Sequence, residues 1–233
     1  METKGEGAEA IKLVVNSIDA MRLGTYTPDY TAAYHKYPSV PKEQVTEAID
    51  MLDAERIERL VTTTYKTWNV NETNEVDCQP VLKLAVMTDR SDIIQAVLKH
   101  PLVDINLFAP VPDTTALMSS CIRKHSVALR TLLADPRLNP NIKDRGRFTA
   151  LHYAMNYGYL DQVKEFIASG IKFDVPEDLW GHYTILGSTA EDTNRKQDTA
   201  RKFLRLYQAN PEQVRSEVLI SLGRTAEVVP MDT

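Results

Sequence analysis

Cys121 and His125 stand four residues apart, a spacing that places two side chains on one face of a helix. A thiol beside an imidazole is the pair from which a cysteine nucleophile is made. The register of the surrounding stretch argues against that use. It turns Cys121 inward, where a helix packs on its neighbour and a cysteine serves as a small hydrophobe, and it turns His125 outward at the helix end. The other histidines, His35, His100, His152 and His182, show no ligand spacing for zinc, alone or with the second cysteine, Cys78. Asp113 and Asp144 are the carboxylates that could be paired, but both fall in loops with no sign of desolvation. There is no Gly-rich phosphate loop among only 9 glycines, so neither a cofactor nor a metal is expected. These residues argue for binding rather than for catalysis.

Bulk properties narrow the binding partner. The chain has 233 residues, 43% hydrophobic and 25% charged, with a formal net charge of −5. That balance excludes a general affinity for nucleic-acid phosphates or anionic lipid. A protein partner is expected, with no nucleic acid and no membrane. The charge is uneven: residues 1–78 carry 8 Lys/Arg against 14 Asp/Glu (−6), residues 79–174 carry 12 against 9 (+3), and residues 175–233 carry 7 against 9 (−2). A mildly basic middle between acidic ends can steer an acidic partner toward the centre. Two cysteines do not make a disulfide framework, Met1 to Gly7 lacks the basic start and apolar stretch of a secretory signal, and no apolar run approaches a membrane span. A reducing compartment is expected, the cytoplasm first and the nucleus as its alternative.

The elements that position these residues recur. Val70-Asn71, Ile105-Asn106, Pro140-Asn141 and Phe173-Asp174 each close an amphipathic run, and their polar residues lie 35, 35 and 33 positions apart (71 to 106, 106 to 141, 141 to 174). Such a period marks stacked repeats. Residues 8–23 read as an amphipathic helix ending at Gly24, followed by a strap over residues 25–41 that holds Tyr26, Tyr30, Tyr34 and Tyr37 with three prolines. Helical pairs then begin. Lys42 to Leu52 and Ala54 to Tyr65 form the first, with Val45, Ile49, Leu52, Ile57, Leu60 and Val61 inward and Asp53 placed to cap the second helix. Each later unit has a short Ala/Ser/Leu-rich helix, a longer amphipathic helix, and a Pro or Gly that ends it. No unit can bury its apolar face alone, so neighbours share one long core.

The fourth unit makes the resemblance specific. Thr149-Ala150-Leu151-His152-Tyr153-Ala154, Gly158, Tyr159-Leu160, Val163-Lys164, Phe166-Ile167 and Gly170 resemble the ankyrin repeat nearly position by position, with Ala150 in place of the usual Pro. The third unit keeps Thr115-Ala116-Leu117 with Met118 at the histidine position, and the second keeps Pro80 and Leu82 with Lys83 there. A tetratricopeptide-type array has a similar period, but the Thr-Ala-Leu starts and Asn ends argue against it. The resemblance implies an all-α ankyrin-repeat solenoid of helical hairpins with degenerate terminal capping repeats and an extra N-terminal helix. The expected divisions are 1–41 for the helix and strap, 42–222 for about five units of which three are clear, and 223–233 for a tail. Residues around Glu191–Asp198 are expected as a polar insertion in the last unit.

The resemblance also implies a site. His152 would hydrogen-bond backbone and Thr149 of its own motif. Ankyrin partners usually touch the loop tips and the exposed side of the first helix, which here are Gln79, Val81 and Arg90; Asp113, Thr114, Lys124 and His125; Arg147, Phe148 and Tyr159; and, at the last unit, Trp180, His182, Tyr183 and Ile185. Aromatics and Arg dominate interface hot spots, and Arg145 and Arg147 flank the aromatic set. A monomeric, non-catalytic adaptor is the expected function. The alternatives are an enzyme with a small-molecule pocket on the ankyrin scaffold, or an inhibitor or assembly chaperone of one partner.

Overall fold

A computed structural model describes residues 42–63, 69–73, 79–109, 113–175 and 190–224. The N-terminal helix and strap, Cys78, Trp180, His182, Tyr183, Ile185 and the tail beyond 224 lie outside these residues. The described part is all-α, with 10 helices. The first pair is α1 (Lys42–Asp50) and α2 (Ala54–Thr63), followed by α3 (Val81–Met87) and α4 (Ser91–Leu98). The two-residue strands β1 (Phe108–Ala109) and β2 (Thr114–Thr115) pair antiparallel, Phe108 opposite Thr115. Then come α5 (Ala116–Ile122), α6 (Ser126–Leu133), α7 (Ala150–Asn156), α8 (Leu160–Ser169), α9 (Ala190–Ala209) and α10 (Pro211–Ser221).

Two rows result. The first helices α1, α3, α5 and α7 stack on one another, as do the second helices α2, α4, α6 and α8. Small residues let the first row close up: Ala116, Ser119, Ser120 and Cys121 on α5, and Ala150 and Ala154 on α7, are all buried. Ile93, Ile94, Leu129, Leu132, Phe166 and Ile167 of the second row complete one continuous core. Asp53 caps α2, its Oδ1 accepting the Arg56 N–H at 2.9 Å.

The recurrent polar residues are the rungs of this stack. Asn71 Oδ1 accepts the Asp104 N–H at 2.8 Å while its amide donates to Leu102 O at 2.8 Å. One repeat on, Asn106 Oδ1 accepts the Asn139 N–H at 2.8 Å and its amide donates to Arg137 O at 3.0 Å. Asn141 Oδ1 accepts the Asp174 N–H at 2.7 Å. An amide serves because it offers a donor and an acceptor to one backbone stretch. The Pro-containing helix ends use one slot twice. His100 Nδ1 accepts the Leu102 N–H and Asp135 Oδ1 the Arg137 N–H. Burial, and then the charge of Arg137, push the His100 pKa down to about 4, so this ring is neutral at physiological pH.

Two readings change, and a third feature matches no expected element. Leu52, expected inward, is 42% exposed, because it occupies the joint between α1 and α2 with φ +55°. Asp89 and Lys124 hold the same joint in the next two units, with φ +51° and +59°, and Gly158 in the fourth, with φ +64°. The conformation costs a non-glycine residue about 1 kcal/mol, and Asp89 offsets part of it by capping α6 through the Ala128 N–H at 2.8 Å. Second, Glu191–Asp198 is no loop insertion but the opening half of α9, a 20-residue helix. Lys196 and Gln197 lie against Gly158, before α8, and Tyr207 stacks on Phe173, after it. The helix therefore runs alongside α8 in the same direction. Its Gln197 donates to Asn156 O just as Gln162, 35 residues earlier (162 to 197), donates to Ser120 O at 3.2 Å. Third, α10 adds an end helix on α8 and α9, burying Val214, Val218 and Leu219.

Candidate partner-binding face

The first helix α7 starts beneath a loop finger, residues 143–148, and ends at the joint of Gly158. Thr149 caps α7: the His152 N–H donates to Thr149 Oγ1, and His152 Nδ1 accepts the Thr149 N–H at 3.0 Å with the Thr149 hydroxyl 2.8 Å away. The expected bond between His152 and its own Thr is therefore present, and burial lowers the imidazole pKa. Met118 fills the same position in α5, with its thioether facing the Thr115 N–H at 3.5 Å. Lys83 fills it in α3 and reaches forward, Nζ donating to Thr114 Oγ1 at 2.8 Å.

Burial pushes the Lys83 pKa down to about 8, helped by Arg123 and opposed by Asp113. Below pH 8 the ammonium is charged in both folded and unfolded chains and the full burial cost is present. Between about 8 and 10.5 the folded chain releases its proton first, and stability rises. Lys83→Met is expected to stabilise the protein by about 1 kcal/mol at pH 7. That gain shrinks as urea titrations move from pH 8 toward pH 10. A gain independent of pH would refute a charged, desolvated Lys83.

The finger before α7 is tightly built. The Asp144 N–H donates to Phe148 O at 3.0 Å and the Arg147 N–H to Asp144 O at 2.9 Å. Asp144 Oδ1 accepts the Phe148 N–H at 2.9 Å and Oδ2 the Tyr153 hydroxyl at 2.5 Å. Arg147 sits at φ +65° with its side chain in solvent. Arg145 crosses to Asp113 at 2.9 Å. Phe148 packs on His152 and Tyr153, with centroids 5.7 and 6.0 Å away. The joint end carries a second cluster: Lys124 Nζ stands 5.4 Å from the centre of the Tyr159 ring, which stacks on Tyr157.

Of the fourteen residues expected at the interface, the ten that are described do not form one patch. Asp113, Arg147 and Phe148 belong to the fingers; Arg90, Lys124, His125 and Tyr159 belong to the joints. A first helix of 7 residues separates the two sets, about 10 Å of axis at 1.5 Å per residue. Gln79 is half-buried ahead of α3, and Arg90 is already paired with Asp92. Val81 and Thr114 present no surface: Val81 faces the core and Thr114 is closed over by Lys83. Trp180, His182 and Tyr183 lie outside the described residues. Lys143, Asp144, Tyr153 and Tyr157 share these two ends and were not among the expected residues; the alternation of charge in Lys143-Asp144-Arg145 was the available signal.

The cysteine–histidine pair does not form a nucleophile. Cys121 is fully buried, and burial pushes its thiol far above the ordinary range. His125 sits at the N-cap position of α6 without a side-chain capping bond, its Nδ1 lying 3.1 Å from Val86 O. Among the described residues no group of three or more His, Cys, Asp or Glu side chains could hold a metal, and no helix is long and apolar enough to cross a membrane.

Paired helices, two-residue strands at the finger and Asn rungs define a stack of ankyrin type. Residues 82–177 match the family model of ankyrin repeats, in 3 copies. Residues 82–177 are thus ankyrin repeats, and such repeats are generally protein–protein interaction modules.

Proposed function

We propose that this chain is a non-catalytic adaptor holding a protein partner across the fingers and exposed first-helix surface of its central repeats. Arg147 carries the reading. A non-glycine residue with φ +65° costs stability. Here it costs it at an exposed tip, where the side chain supports no internal packing. Strain of that kind is retained where a side chain is needed outward. A cleft of about 170 Å³ between α6 and α8, lined by Arg130, Leu133, Glu165 and Arg224 among others, is smaller than the roughly 300–1,000 Å³ of small-molecule sites.

Arg147→Gly separates folding from binding. It relieves the backbone and should raise stability by about 1 kcal/mol. In affinity capture from native lysate, it should lose a partner that the wild-type chain retains. Phe148 is a poorer probe, since its ring packs on His152 and Tyr153 and truncation would disturb the fold. Undiminished capture by Arg147→Gly, and also by Lys124→Gly at the joint, would remove both ends of this face from the interface.

A further inference from the structure

We infer that the finger of residues 143–148 docks an acidic segment of a partner protein. The inference rests on the interaction-module reading above and adds the partner's chemistry to it. Lys143, Arg145 and Arg147 are all exposed, with Asp144 between the first two. Asp144 offsets one of these charges but makes no ion pair with them, because both its oxygens are committed inward, to the Phe148 N–H and the Tyr153 hydroxyl, and the finger keeps a net of +2. The finger's one carboxylate thus serves as its scaffold, and three cations are left around the rim. Lys143 and Arg147 make no ion pair among the described residues. Arg145 pairs with Asp113, yet its side chain is 89% exposed, and a pair so hydrated is worth little and is readily exchanged for another carboxylate.

The surroundings reinforce the sign. Burial is the main cause that lowers the pKa of His152 and of Lys83; Lys143 and Arg123 add to it at those two points, against Asp144 and Asp113 respectively. The breadth of the patch selects the partner class. Residues 79–174 carry +3 but the flanking segments carry −6 and −2. The first helical pair, residues 42–63, carries 3 Lys/Arg against 6 Asp/Glu, so a long polyanion such as nucleic acid would meet repulsion on that side. A short acidic stretch of polypeptide meets only the basic middle. Arg supplies a planar fork for carboxylates, and Arg147 is held outward by the backbone that strains it.

Fluorescence anisotropy of the full chain with a short labelled peptide of alternating Glu and Gly tests this. A Ser/Gly peptide and a single-stranded oligonucleotide of equal length are the comparison probes. The acidic peptide should bind at low salt, weaken about tenfold at physiological salt, and weaken about tenfold again when Lys143, Arg145 and Arg147 are all changed to Gln. Gln at Lys164, Lys202 and Arg205 should leave binding unchanged. Thermal melts of both triple variants separate lost binding from lost folding. The proposal falls if the acidic peptide binds no better than the neutral one. It also falls if the finger variant binds as wild type does, or if the oligonucleotide binds the finger more tightly than the peptide. Should the peptide fail while Arg147→Gly still loses its captured partner, the acidic chemistry is wrong and the adaptor reading stands.

Discussion

Arg224→Ala is expected to lower the unfolding free energy by about 2 kcal/mol, less than the roughly 3–5 kcal/mol of breaking a fully buried ion pair, because the Arg224 side chain is 31% exposed. Glu165 on α8 has a side chain only 6% exposed, and Arg224 Nη2 lies 2.8 Å from each of its oxygens. Arg130 Nη2 is the other cation, at 3.3 Å and 55% exposed. Arg224 follows the turn at Gly223 that ends α10, and so ties the last helix to one 59 residues earlier. Without it the carboxylate stays buried beneath α10 with one distant, hydrated partner. Arg130→Ala, by contrast, should cost under about 1 kcal/mol, as an exposed pair does. Glu165→Met with Arg224→Met should recover most of the loss, since no charge is then stranded. Urea denaturation measures all three, and hydrogen exchange across 211–221 locates the effect. Equal, small costs for the two arginines would show that Glu165 needs neither.

The stacking was legible because its causes are local and periodic. Asn71, Asn106 and Asn141 recur at repeat spacing since each spans to the next unit's backbone, and Thr115 and Thr149 mark helix starts because a hydroxyl caps there. Leu52 was misread because its apolar type fits the helix pattern, whereas its backbone belongs to the joint that Gly158 fills in a later unit. Glu191–Asp198 was misread because a helix covered on one side shows only Thr193 and Gln197 as buried polar contacts, leaving no apolar stripe to detect. The face was the hardest part. Register predicts which residues occupy equivalent positions, but not that Lys83 folds over Thr114, nor that Asp144 turns to meet a tyrosine nine residues away. Those outcomes depend on side-chain direction, which spacing does not carry.

Asn106→Ala should be the costliest of the rung substitutions, about 3 kcal/mol, since two bonds are lost and their backbone partners are left part-buried. Asn106 occupies the middle of the ladder, between α4 and the turn after α6, and both groups it serves, the Asn139 N–H and Arg137 O, lie in one segment. Losing it loosens that segment, which also holds Arg137 on Asp135 and on Leu98 O. Asn106→Asp keeps the acceptor for Asn139 but sets a carboxylate against Arg137 O, so it should recover part of the loss and no more. The last rung already has Asp174 at this register, and there the residue donates its backbone N–H to Asn141 Oδ1 and need not donate with its side chain. In a stack each layer is stabilised by its neighbours, so the same change at Asn71, near the edge of the matched repeats, should cost less. Urea titrations of the three variants rank them directly. If Asn106→Asp proved as stable as wild type, the donor half of the rung would contribute nothing and acceptor geometry alone would set the register.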